Sequence, residues 1–274
     1  FDSPEALELS TRISEEIYYW ALSASCDLAA VDGPHQGFSE TRAARGDLQF
    51  DLWGVIPSDA ARWEALKDRI SQHGLRNSLM IAIAPTATIA SIAGCYECIE
   101  PQVSNLFKRE TLSGEFLQIN RYLVDELQQR GLWSEDMSQQ IKRAEGSIQG
   151  IKEIPEDVRE VYRTAWELPQ RALIDLAASR GAYIDQSQSL NLFMESPSIG
   201  KLSSMYMHAW KSGLKTTYYL RSRPATRINQ TTTEADGGPM GSPPEGESDS
   251  ANSFTDEEAL ACSLENPEAC EACD

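Results

Sequence analysis

A nearly continuous apolar run, SLMIAIAP at residues 78–85, restricts the folds open to this chain more than any other segment. It is too short for a membrane span, which takes about 20 apolar residues, and it lacks the alternation of a strand with one wet face. A strand buried on both faces fits, because side chains pointing either way then meet apolar neighbours. SLNLFM (189–194) reads as a second strand, residues 199–212 as a helix and 214–221 as a third strand. Buried strands in the order strand–helix–strand predict an α/β architecture with parallel pairing.

Helical patterns fill the intervals. Residues 3–30 carry Ser3 as N-cap, Pro4 at the first helical position, and Ala6, Leu9, Ile13, Ile17, Trp20, Ala21, Ala24 and Leu28 at helical spacing. VDGPHQGF (31–38) is a loop, and 58–72 is a helix with Ser58 as its cap. Residues 111–130 read as one or two helices stopped by Gly131, and a further helix runs from near Pro155 to Ser179 with a kink or break at Pro169, ended by Gly181.

The apolar run leads directly into PTATIASIAG. Thr86 or Thr88 there can cap a short helix, which would gather hydroxyls and unpaired backbone N–H groups at the end of a buried strand. Physically that is an anion site.

Charge divides the chain. The net charge is −18, yet residues 228–274 hold twelve acidic side chains and no Lys or Arg, so the first 227 residues carry only −6. The last segment is polar and rich in Gly, Pro and Ser, and is expected to be disordered. Two regions result: a folded body over 1–227 and an acidic tail over 228–274. Without a basic patch the chain is a poor candidate for wrapping nucleic acid. The acidic, polar start is no secretory signal, no apolar run is long enough to span a membrane, and a cytoplasmic location is expected. A start at Phe1, almost immediately helical, reads as a piece of something longer.

Six cysteines are expected to be mostly reduced in that compartment: Cys26, Cys95, Cys98, Cys262, Cys270 and Cys273. Cys26 falls in a helix and reads as core. Cys95–Cys98, in AGCYECIEP, reads as structural more readily than redox-active. Cys270–Cys273 sits at the end of the tail, with three competing readings. A zinc site needs about four ligands; the tail offers Cys262, Cys270 and Cys273 and no His, so Cys95 and Cys98 would have to complete it. Idle surface thiols are a liability. A mobile dithiol on a flexible tether can visit a buried site and then an external reductant, and the tail's composition favours this third reading.

GLKTTYYLRSRPATRI (213–228) sets Tyr218 beside Tyr219. A regular strand sends neighbouring side chains to opposite faces, so the plain reading is one core and one surface tyrosine. For the two rings to touch, the backbone must twist or bulge near Thr217.

Assembled, the chain resembles the C-terminal part of the large (α) subunit of class I ribonucleotide reductase. The resemblance rests on EIYYWALSASCDLA (16–29), GLRNSLMIAIAPTATIASI (74–92), IEPQVSNLF (99–107), LSGEF (112–116), GAYIDQSQSLN (181–191), GLKTTYYLRSRPA (213–225) and CSLENPEACEAC (262–273). It implies the C-terminal part of that family's ten-stranded α/β barrel, followed by the tail. The implied reaction replaces the 2′-hydroxyl of a ribonucleoside diphosphate by hydrogen.

By the same resemblance, Pro85, Thr86, Ala87, Thr88 and Ile89 hold the substrate diphosphate. Tyr218 and Tyr219 stack, within about 4–5 Å, and relay a radical, and Cys270 and Cys273 re-reduce the active-site disulfide. The implied partners are the small (β) subunit, a thioredoxin- or glutaredoxin-like reductant and a second α subunit. This piece binds no cofactor or metal itself on that view; the small subunit's radical metallocofactor and ATP or dNTP effectors act from sites outside it. The family's radical-bearing cysteine, its Asn and Glu neighbours and the barrel's reducing cysteines lie upstream, so the piece alone is expected to be inactive. Cys95–Cys98 has no counterpart in the family pattern. Two other classes compete: a thiol carrier whose body is a scaffold, and a zinc-stabilised interaction module using both C-x-x-C pairs.

Overall fold

The long first helix shows how local sequence and packing cooperate. In this computed structural model, which describes residues 1–111 and 114–223, α1 spans Pro4–Asp32. Ser3 Oγ accepts the Ala6 N–H at 3.1 Å, Pro4 occupies the first turn, and Gly33 at φ 78° ends the helix with its N–H on the Ala29 carbonyl. The face it buries is not the one the spacing suggested. Tyr18, Leu22, Cys26 and Ala29 are buried, whereas Leu9, Ile13, Ile17 and Trp20 are each more than half exposed. Both stripes have helical period, so spacing alone does not say which one meets the core.

Short α2 (Gln49–Leu52) and α3 (Ala60–His73) complete the first core, α3 being capped by Asp59, one residue beyond the expected Ser58. Trp63 is at its centre, packed against Tyr18, Phe50 and Tyr183. Its indole N–H donates to the buried Glu15, which also accepts from Ser58. A buried carboxylate is tolerated only with such partners.

Helix α4 (Ala87–Ala93) follows the apolar run, then an antiparallel hairpin of β1 (Leu106–Thr111) and β2 (Gly114–Ile119). This corrects the helical reading of 111–130. Helix α5 covers only Arg121–Gln129, because Asn120 Oδ1 accepts the N–H groups of Tyr122 and Leu123 and fixes the helix start there. Together α5, α6 (Glu135–Arg143) and α7 (Glu156–Val161) enclose a second core of Leu123, Leu127, Met137, Ile141, Ile148, Ile154 and Val158. The stretch expected as one broken helix from Pro155 is thus two: α7, and α8 (Gln170–Gly181) beginning straight after Pro169.

The third core joins α8 and α9 (Ile199–Lys211) to the short strands β3 (Leu192–Phe193) and β4 (Leu220–Arg221). β3 and β4 are parallel, and a single parallel bridge ties Ile83 to Gln188 on the other side. Three extended segments therefore lie side by side, near 80–83, 186–194 and 216–221, with the middle one shared. The parallel order agrees with the sequence reading, but the strands are far shorter. Residues 78–85 make only that one bridge and are half-buried or exposed, not enclosed on both faces. They have a neighbour on one edge only among the described residues. Gly181, ending α8, lets this layer approach the first core: a Cβ there would come within 2.6 Å of the Trp53 ring. No helix among the described residues is long and apolar enough to cross a membrane.

Candidate functional site

The segment carrying the two tyrosines is pinned from below by Lys215. Its ammonium donates to the carbonyls of Ile184, Asp185 and Gln186 at 3.0–3.1 Å, and Thr216 Oγ1 donates to the Gln188 carbonyl at 3.0 Å. Above that point the ladder skips. The Tyr218 N–H donates to the Leu190 carbonyl, while the Leu192 N–H donates to the Tyr219 carbonyl. In a regular parallel ladder one residue would make both bonds; here two residues stand opposite the single residue Asn191, which is a β-bulge. The expected distortion is present, one residue beyond Thr217.

The bulge turns both rings to one side. Their centroids are 4.1 Å apart with planes tilted by 56°, and the hydroxyls are 3.3 Å apart. The contact is tilted, where stacked rings were expected. Tyr218 is 47% and Tyr219 54% exposed, so neither is a core residue and the plain reading of one inside, one outside does not hold. The Tyr219 hydroxyl holds the Tyr218 phenol above its ordinary pKa. The Arg221 guanidinium sits 5.6 Å over the Tyr219 ring.

At the neighbouring edge, Thr86 occupies the cap position of α4 but with φ 52°, in the left-handed region. A β-branched residue there is strained by roughly 1–3 kcal/mol. Its hydroxyl makes no capping bond and instead accepts the Cys98 N–H at 3.3 Å. Pro85 and Thr86 are half-buried, while Ala87, Thr88 and Ile89 are exposed. These three begin α4, and their N–H groups have no carbonyl one turn earlier within the helix.

Beneath both features lies a buried polar network. The Cys98 thiol donates to the Pro85 carbonyl at 3.3 Å, and its sulfur accepts from Asn191 Nδ2 at 3.6 Å. Glu100 Oε1 accepts the Asn191 N–H at 2.8 Å. Burial, followed by the Glu100 and Glu97 carboxylates, pushes the Cys98 thiol up to about 11. Arg180, buried and donating to Gln188 at 2.8 Å, is brought down to about 10 by desolvation, which Glu100 opposes.

The structure thus brings Pro85 and Thr86 into one hydrogen-bonded network with Asn191, the residue facing Tyr218 and Tyr219. Cys270 and Cys273, with Cys262, lie outside the described residues. Cys26 is fully buried, as expected of core. Cys98 is half-buried, but Cys95 is exposed, so packing accounts for only one of that pair. Among the described residues no group of three or more His, Cys, Asp or Glu side chains is placed to hold a metal. Asn191, Glu100 and Lys215 were not singled out from sequence. Nothing in their local pattern marks them, since their partners lie 91 residues away for Asn191 and about 30 for Lys215.

The family model described as ribonucleotide reductase, barrel domain, matches residues 1–220. The ribonucleoside-diphosphate reductase large chain of Schizosaccharomyces pombe is 43% identical over 296 residues, covering all of this chain and 36% of its own length. The large subunit of Danio rerio is 45% identical over 274 residues, covering all of this chain and 34% of its own. That of Vaccinia virus is 48% identical over 237 residues, covering 86% and 31%. Among solved structures, the Actinobacillus ureae class Id ribonucleotide reductase alpha subunit superposes with a TM-score of 0.61 at 26% identity, over 81% of this chain and 35% of that one. The chain spans about a third of the length of these relatives.

Proposed function

This chain belongs to the ribonucleotide reductase large-subunit family, and from that premise we propose that it works as part of a ribonucleoside-diphosphate reductase, supplying a diphosphate-binding loop, a radical relay and a reducing tail. The observation that carries this reading is the bulge at Tyr218 and Tyr219. Two exposed phenols with hydroxyls 3.3 Å apart contribute little packing. They are suited to moving a hydrogen atom: the proton crosses between the oxygens as the electron passes between the rings, leaving one ring a phenol and the other a phenoxyl. The oxidising equivalent would come from a metallocofactor held by the small subunit, and Tyr218 and Tyr219 would pass it toward the substrate.

The loop reading rests on residues 85–89. A diphosphate seated over the first turn of α4 would accept from exposed N–H groups and from the Thr88 hydroxyl, with Thr86 held in place from behind. Charge-assisted bonds of this kind are worth about 1.5–3 kcal/mol each. Ribonucleoside diphosphates are the substrates on this reading, and the tail thiols Cys270 and Cys273 return the enzyme to its reduced state using a thioredoxin- or glutaredoxin-like donor. A second α subunit and the small subunit complete the assembly.

The loop is tested by Thr86→Val with Thr88→Val in the complete large subunit containing this sequence. The Michaelis constant for the nucleoside diphosphate should rise at least about tenfold, as the loss of one such bond implies. Unchanged nucleotide binding would remove residues 85–89 from the substrate site.

A further inference from the structure

Cys98 is where the two candidate sites meet. Its N–H holds Thr86 Oγ1, its thiol holds the Pro85 carbonyl, and its sulfur receives Asn191 Nδ2. Two residues on, Glu100 takes the Asn191 N–H. Asn191 is in turn the residue opposite the tyrosine bulge. Cys98 adopts φ 63°, so the turn spends backbone energy to direct both groups at the loop. We propose that Cys98 is a positioning residue that sets the Pro85–Thr86 loop against Asn191.

This rests on the reading of residues 85–89 as the diphosphate loop. The role needs a neutral group that donates one hydrogen bond and accepts another. A thiol does so only while protonated, and its raised pKa keeps it protonated throughout the neutral range. Serine preserves both contacts in kind, and alanine removes both while leaving the backbone bond to Thr86.

The test uses the complete large subunit with its small subunit and CDP as substrate. Cys98→Ala should raise the Michaelis constant about 3- to 10-fold, as loss of its two weak thiol hydrogen bonds implies, with kcat within about twofold. Cys98→Ser should return it to within about twofold of the parent. A rise with Thr86→Val plus Thr88→Val but none with Cys98→Ala would make Cys98 a packing residue and overturn the proposal while the loop reading stands. No rise with Thr86→Val plus Thr88→Val would end the loop reading and this inference together. Should Cys98→Ala fail to fold, alkylation decides: saturating CDP should slow iodoacetamide labelling of Cys98 in the parent protein at least about threefold, and an unchanged rate overturns the proposal.

Discussion

Tyr218 and Tyr219 hold their hydroxyls 3.3 Å apart although they are consecutive in an extended segment. The ladder explains how: Tyr218 gives its N–H to Leu190, Tyr219 offers its carbonyl to Leu192, and the extra residue rotates one ring toward the other. Lys215 fixes where this happens, since its three carbonyl contacts anchor the segment only three residues before Tyr218.

The approach of the first core to the parallel segments depends on Gly181. Gly181→Ala would set a methyl 2.6 Å from the Trp53 ring. Alanine gains up to about 1 kcal/mol of helix propensity, but overpacking costs about 1–3 kcal/mol. A net loss of up to about 2 kcal/mol is expected in urea unfolding. A midpoint equal to the parent's would mean Trp53 moves aside freely.

Cys98 should titrate late. With its thiol pushed up to about 11 by burial and the nearby Glu100 and Glu97, only about one molecule in a thousand carries the thiolate at pH 8. The sign is that of an acid held neutral, so reactivity grows as pH rises. Its alkylation rate, followed by peptide mass spectrometry, should increase about tenfold per pH unit from 7 to 10. A plateau below pH 9 would show that the thiol is not shielded as the structure has it.

How much of this was legible in the sequence depended on distance along the chain. Ser3 and Pro4 mark the start of α1 through contacts within three residues, so that end was read directly, whereas its far end, expected at residue 30, lies at Asp32, where Gly33 stops it. The face it buries could not, because Leu9–Ile13–Ile17 and Tyr18–Leu22–Cys26 have the same period and only packing against Trp63 decides between them. Residues 111–119, which include β2, read as helix because TLSGEFLQI carries apolar residues at spacings that suit either structure. The Tyr218–Tyr219 pair was legible as an anomaly. Its cause, the mismatch against Asn191, was not, because that partner lies in another segment.

Choice of reductant tests the proposed role of the tail thiols. In the complete large subunit, Cys270→Ser or Cys273→Ser should abolish turnover driven by a thioredoxin-like protein, yet spare turnover driven by a small dithiol that reaches the active site unaided. Equal loss with both reductants would assign these cysteines a structural role and strengthen the zinc reading.

The relay is the central claim, and single hydroxyl deletions address it most directly. Tyr218→Phe and Tyr219→Phe each remove an oxygen from an exposed ring, so the unfolding free energy should change by no more than about 1 kcal/mol. Phenylalanine is not oxidised at an accessible potential, so a relay through either ring stops. The measurement is CDP turnover by the complete large subunit with its small subunit, with folding checked by circular dichroism. Both variants should be folded, bind CDP as the parent does and show no detectable turnover. Substantial turnover by both folded variants would contradict the account and leave Tyr218 and Tyr219 as a surface contact.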